Sequence, residues 1–121
     1  MKKIQLPISE QEICKLRSGD IVSLSGKIFT ARDRVHDFAM RKKLPRNLEG
    51  LGVFHCGPVM VWENNSWRAL AAGPTTSARL DIFTPRFIEK TGVRVIIGKG
   101  GMGIATQEAL KKFGGVYIHA I

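Results

Sequence analysis

Val93-Arg94-Val95-Ile96-Ile97-Gly98-Lys99-Gly100-Gly101-Met102-Gly103 is the stretch on which the fold turns. Its first half is β-branched and almost continuously apolar, the pattern of a strand buried on both faces. A glycine-rich loop, Gly98–Gly103, follows. A helix then runs to about Phe113, Gly114-Gly115 supplies its C-cap, and Val116–Ile121 reads as the next strand. Upstream, Thr84–Lys90 has the pattern of a helix, with Pro85 tolerated at its first turn and Thr91-Gly92 at its end. The second half of the chain therefore alternates strand and helix.

The first half is richer in strands. Residues 2–8 form a short strand closed by Pro7. Ser9-Glu10-Gln11-Glu12 is a capping box that opens a helix near Glu10–Leu16. Ile21–Gly26 alternates as a strand, and Gly26 bends it before Lys27–Thr30. Thr30-Ala31-Arg32-Asp33 leads into a helix near Asp33–Lys43, with Val35, Phe38 and Ala39 expected on its buried face. Gly52–Cys56 is an apolar strand broken at Gly57-Pro58, and Val59–Glu63 and Ser66–Ala72 form a hairpin around Asn64-Asn65. This order predicts an α/β domain with a mixed sheet or small barrel flanked by helices. Residues 1–121 read as one domain. The chain stops inside a strand pattern, which is read as a shortened C-terminus.

Composition narrows the function classes. An apolar fraction of 44% and a charged fraction of 24% are those of a globular protein. No apolar run is long enough to cross a membrane, and Met1–Pro7 lacks the apolar stretch of a signal peptide. A cytoplasmic protein without membrane contact is expected. Cys14 and Cys56 form no CxxC, and His36, His55 and His119 have no metal-ligand spacing, so no metal site is expected on this chain. The net charge of +9 suits anionic partners or substrates, although its densest cluster, Arg41-Lys42-Lys43, also fits a solvated helix end.

Gly73-Pro74-Thr75-Thr76-Ser77-Ala78-Arg79-Leu80-Asp81 gathers three hydroxyls, a cation and a carboxylate. Thr, Ser and Asp favour N-caps, so the segment reads as a loop feeding a helix N-terminus, where free N–H groups and Arg79 would suit an anion. The Gly98–Gly103 loop allows the same kind of approach, with Lys99 as a point charge. It is neither a Walker loop nor a dinucleotide fingerprint in its expected context. Gly98-Lys99-Gly100-Gly101 also resembles the GxxG loop of RNA-binding KH domains, in which the loop joins two helices. A non-catalytic anion-binding module is a further alternative. Arg32 and Arg79 each neighbour an acid, Asp33 and Asp81, either as local surface ion pairs or as a bidentate grip on a carboxylate. His36 lies three residues beyond Asp33, where a lone histidine is more often structural or exposed than functional.

One family unites these segments. Gly19-Asp20, Leu24-Ser25-Gly26, Thr30-Ala31-Arg32-Asp33 with His36, Gly57-Pro58, Gly73–Asp81 and Ile97-Gly98-Lys99-Gly100 together resemble the β subunit, or C-terminal domain, of class I fumarate hydratases and the related L-tartrate dehydratases. The resemblance runs from about Leu6 to the end. It implies a swivelling β/β/α domain and a hydro-lyase reaction, the reversible loss of water from a 2-hydroxy dicarboxylate. It further implies a [4Fe-4S] cluster carried by an α subunit and not by this chain. By position in the motifs, Thr75 matches the family's base and Lys99 the lysine that tunes it. Arg32 and Arg79 match its carboxylate-binding arginines. Asp33, His36, Thr76, Asp81, Gly98 and Gly100 are the supporting residues. The expected partners are that α subunit and a small dicarboxylate; nucleic acid is not expected, and the chain by itself is expected to be inactive.

Overall fold

The computed structural model describes residues 1–121. The elements follow in the order β1 (Lys2–Leu6), α1 (Glu10–Ile13), β2 (Val22–Gly26), β3 (Ile28–Thr30), α2 (Asp33–Arg41), β4 (Gly52–Phe54), β5 (Val59–Glu63), β6 (Ser66–Ala71), a 3-10 turn at Ser77–Leu80, α3 (Thr84–Thr91), β7 (Val95–Gly98), α4 (Ile104–Phe113) and β8 (Val116–His119). The expected elements are present, several of them shorter at their ends. The capping box holds in part: Glu12 N donates to Ser9 Oγ at 3.2 Å, while the Glu12 carboxylate turns to Lys15 at 3.0 Å.

The centre is a four-stranded parallel sheet in the order β3-β4-β7-β8. Alternation along β7 defines its two faces. Ile96 packs with Val53, Phe87, Ile88 and Leu110, on the side covered by the helices. Val95 and Ile97 pack on the other side, with Ile4 and Leu6 of β1 and Ile13 of α1. Parallel strands joined by crossovers running in one direction place their helices on one face, and α3 packs against both α2 and α4. The second parallel pair, β1-β2, covers the opposite face. The layers are therefore β/β/α. The α/β class is as expected, but no barrel closes: parallel and antiparallel pairings occupy separate sheets.

Two local expectations are corrected. Val35 and Phe38 are 37% and 39% exposed, and His36 and Ala39 form the buried stripe of α2. His36 fits there because its Nδ1 donates to Arg32 O at 2.8 Å and its ring lies 4.5 Å from that of Phe87. The second correction concerns the Gly73–Asp81 segment. It feeds only the four-residue 3-10 turn, and Thr76 at its N-cap makes no side-chain capping bond. The β5–β6 hairpin turns at Asn64 and Asn65, both in the left-handed region with φ 52° and 60°. It packs mainly on itself.

Candidate active site

Register brings the candidate residues together. Thr30, Phe54 and Ile97 align in one row across β3, β4 and β7. Two residues beyond that row, at the carboxyl ends of the strands, stand Arg32, Cys56 and Lys99. The segment Pro74–Ser77 is stitched into the same edge. Pro74 bridges Cys56 and Thr76 bridges Lys99. Thr75 N donates to His55 O at 2.7 Å, and Ser77 N donates to Lys99 O at 3.1 Å. Arg32, Thr75 and Lys99, far apart in sequence, thus share one edge of one sheet, and Arg79 in the 3-10 turn reaches it through Asp33 at the start of α2. In open α/β sheets this carboxyl edge is where ligands bind.

The side chains at this edge divide into tied and free. Arg79 Nη2 donates to Asp33 Oδ2 at 3.2 Å, joining the 3-10 turn to the start of α2. The pairing crosses between segments; the sequence-local pairs Arg32–Asp33 and Arg79–Asp81 do not form. Asp81 turns away from Arg79 altogether. Its two carboxylate oxygens accept from Gly103 N at 3.0 and 2.9 Å, and Thr106 Oγ1 donates to it at 2.8 Å. Asp81 is therefore the cap of α4. Arg32 forms no ion pair, and its guanidinium lies over Gly57, where a Cβ would stand 2.7 Å from Nη1. A cavity of about 410 Å³ opens beside it, lined by Asp33, Arg34, Cys56 and Gly57 among others. Thr75 is half-buried and Lys99 exposed. Neither the Thr75 hydroxyl nor the Lys99 ammonium is hydrogen-bonded within the chain, so both are available to a ligand.

Beneath this edge lie two histidines: His36, expected as a supporting residue, and His55, which sequence patterning left without a role. His36 and His55 are fully buried, with ring centroids 5.4 Å apart at an interplanar angle of 62°. His55 Nδ1 is 2.8 Å from Ser77 Oγ. The Nε2 atoms of both rings have no partner. Burial, reinforced by the neighbouring His36, pushes His55 down to about 4; burial also lowers His36. Both rings are neutral at pH 7, which makes their burial tolerable. Ser77 is the second residue that sequence patterning left without a role. It sits inside the hydroxyl-rich motif, but its hydroxyl points inward, into space that exists only because Gly98 has no side chain.

One alternative loses its footing on this geometry. Gly98–Gly103 joins β7 to α4, a strand to a helix, whereas the KH loop joins two helices, so the RNA-binding reading does not apply. The N-terminus of α4 is also already filled by the Asp81 carboxylate, which displaces the expected anion from that position. No three His, Cys, Asp or Glu side chains converge in metal-binding geometry. Cys14 is exposed and Cys56 buried, as separate free thiols. This donor set does not fit an iron–sulfur cluster.

Comparison with known proteins agrees with the motif reading. The chain matches the Fumarase C-terminus family over residues 1–121. It is 46% identical over 119 residues to a Geobacillus stearothermophilus protein named as a candidate class I fumarate hydratase, covering 98% of this chain and 23% of that protein. It is 38% identical over 121 residues to the L(+)-tartrate dehydratase subunit beta of Escherichia coli K12, covering 98% of this chain and 60% of that subunit. A Methanocaldococcus jannaschii protein named as a candidate for the same subunit is 39% identical over 118 residues, 93% of this chain and 60% of its own length. With the match extending over its whole length, the chain belongs to the Fumarase C-terminus family.

Proposed function

We propose that this chain is the β component of an iron–sulfur hydro-lyase that reversibly dehydrates a 2-hydroxy dicarboxylate, malate to fumarate or tartrate to oxaloacetate. It acts as one domain of the class I fumarase β type. The observation that carries the reading is the convergence of Arg32, Thr75 and Lys99 at the carboxyl edge of the central sheet, with Arg79 joined to it through Asp33. Names of relatives support it: a class I fumarate hydratase and tartrate dehydratase β subunits. The chain spans 23% and 60% of those relatives, so the complete activity belongs to a larger assembly. The [4Fe-4S] cluster is assigned to an α-type partner, because the donors of this chain do not fit one.

This chain contributes binding and proton transfer. Two guanidinium groups suit two carboxylates, each able to make paired N–H···O bonds. Arg79 is pre-positioned by Asp33, and Arg32 lies unpaired beside its cavity. In dehydration a C–H bond breaks, the C–O bond of the hydroxyl breaks, and a C=C bond forms with release of water. Thr75 takes the proton from the carbon α to a carboxylate. A threonine hydroxyl is a weak base unless a cation stabilises its alkoxide, and Lys99 supplies that charge. The arginines also stabilise the extra negative charge that accumulates on the carboxylate as the proton leaves.

The test is co-expression with the neighbouring α-type gene product, anaerobic reconstitution, and assay against malate, fumarate and tartrate. The assembled enzyme is expected to turn over one of these, and the isolated chain none. Arg79→Lys is expected to lose most of the activity at full cluster occupancy, since a single ammonium cannot replace a bidentate grip. An unchanged rate would overturn the assignment.

A further inference from the structure

We propose that Ser77 and Tyr117 are positioning residues, which hold the loop bearing Lys99 against the segment bearing Thr75 through one directed chain of hydrogen bonds. The inference rests on the roles proposed for Thr75 and Lys99.

Donor counting sets the direction of the chain. Tyr117 Oη is 2.8 Å from Gly100 O and 3.2 Å from Ser77 Oγ. A carbonyl only accepts, so the single phenolic proton goes to Gly100 O. The tyrosine oxygen is then an acceptor, and Ser77 Oγ donates to it. Ser77 Oγ in turn accepts from His55 Nδ1 at 2.8 Å. Donation therefore runs His55 to Ser77 to Tyr117 to Gly100, each hydroxyl both giving and receiving one proton. Such chains strengthen cooperatively.

The same hub binds the loop through its backbone. Ser77 N donates to Lys99 O at 3.1 Å, and Ala120 N donates to Gly98 O at 2.8 Å. The successive carbonyls of Gly98, Lys99 and Gly100 are thus all held from within. The Lys99 side chain is left facing outward. Ser77 is two residues from Thr75, whose own N–H is fixed to His55 O. His55 thereby touches both ends of the device, one through its carbonyl and one through its ring. Ser77 is fully buried, where an alanine would fill the space without desolvating a hydroxyl. What the hydroxyl adds is registration between two loops whose separation sets that between Thr75 and Lys99.

Tyr117→Phe deletes a single hydroxyl at a half-buried position and tests the idea most directly. In the assembled enzyme, kcat is expected to fall about ten- to hundredfold with KM within about threefold, as for loss of alignment without loss of binding. Ser77→Ala is expected to act in the same direction. The double variant should be little worse than the weaker single, because both cut one chain. In the free full-length chain, Tyr117→Phe should speed amide exchange at Ser77 and Ala120, whose N–H groups hold the Lys99 and Gly98 carbonyls, while leaving Ile96 unchanged. Should Ser77→Ala fail to fold, Tyr117→Phe carries the test by itself. Wild-type kcat in Tyr117→Phe, with turnover abolished in Thr75→Ala and Lys99→Ala, overturns the positioning role and leaves the proposed function intact. Wild-type turnover in all of these variants overturns both.

Discussion

Two glycines at the site have opposite mechanical meanings. A Cβ on Gly57 would meet the guanidinium end of Arg32, at 2.7 Å from Nη1 and 2.8 Å from Cδ. That is the mobile end of a flexible side chain. Gly57→Ala should therefore barely change the melting temperature, yet raise KM about tenfold by pushing Arg32 out of place; an unchanged KM would remove Arg32 from the binding role. A Cβ on Gly98 would overlap the buried Ser77 hydroxyl and also press on His55 Nδ1 at 3.1 Å. Nothing there can swing into solvent. Gly98→Ala should cost about 1–3 kcal/mol, visible as a lowered urea midpoint. The buried histidines set the acid limit. His55 titrates near 4 in the folded chain against 6.5 ordinarily, so between those values the unfolded chain binds more protons. Stability is then full above about pH 6.5 and falls as the pH drops toward 4, by about 3 kcal/mol from His55. His36 acts in the same direction. Urea midpoints at pH 7, 5.5 and 4.5 should decline in that order, and a flat series would contradict it.

At the scale of elements, α4 begins with Gly103 and has no capping side chain of its own. Asp81, 22 residues earlier, supplies the cap through both carboxylate oxygens and binds Thr106 as well. Asp81→Ala should lower stability by about 1–2 kcal/mol and speed amide exchange at the first turn of α4. Loss of activity without loss of stability would instead place Asp81 in the chemistry. Asp81 belongs in sequence to the hydroxyl-rich Gly73–Asp81 segment, while its carboxylate serves the helix that follows the lysine loop. The β5–β6 hairpin is the opposite case, since little outside it depends on it. Its cross-strand pair Trp62 and Trp67, 58% and 65% exposed, are the only two tryptophans. Native tryptophan emission should therefore be red-shifted and almost as quenchable by acrylamide as in urea. Blue-shifted, protected emission would mean the hairpin is covered.

Over the whole molecule, one ion pair shows the limit of counting charges. Arg79 and Asp33 are each about half exposed, so Asp33→Asn should alter the melting temperature very little. A large activity loss in that variant would then report the aim of Arg79 and not the stability of the fold. Much of the architecture was legible beforehand. The β-branched run before Gly98, the glycine caps of α3 and α4, and the Asn64-Asn65 turn are local signals. Each acts within a few residues, and the structure honours them. The candidate-site residues Arg32, Thr75, Arg79 and Lys99 were singled out by resemblance. Long-range partners were not. Nothing around Val35 and Phe38 tells that α2 turns His36 inward, because that depends on Phe87 across the helix layer. Tyr117, the only tyrosine, lies 40 residues from the serine it contacts. Propensity, capping and turn chemistry are written in neighbouring residues, so the alternation of elements and the chemical types at the candidate site can be read along the chain. Which charges pair, which hydroxyl is buried, and that Arg32, Thr75 and Lys99 share one edge depend on strand order and register between segments far apart in the chain, and these are fixed by folding.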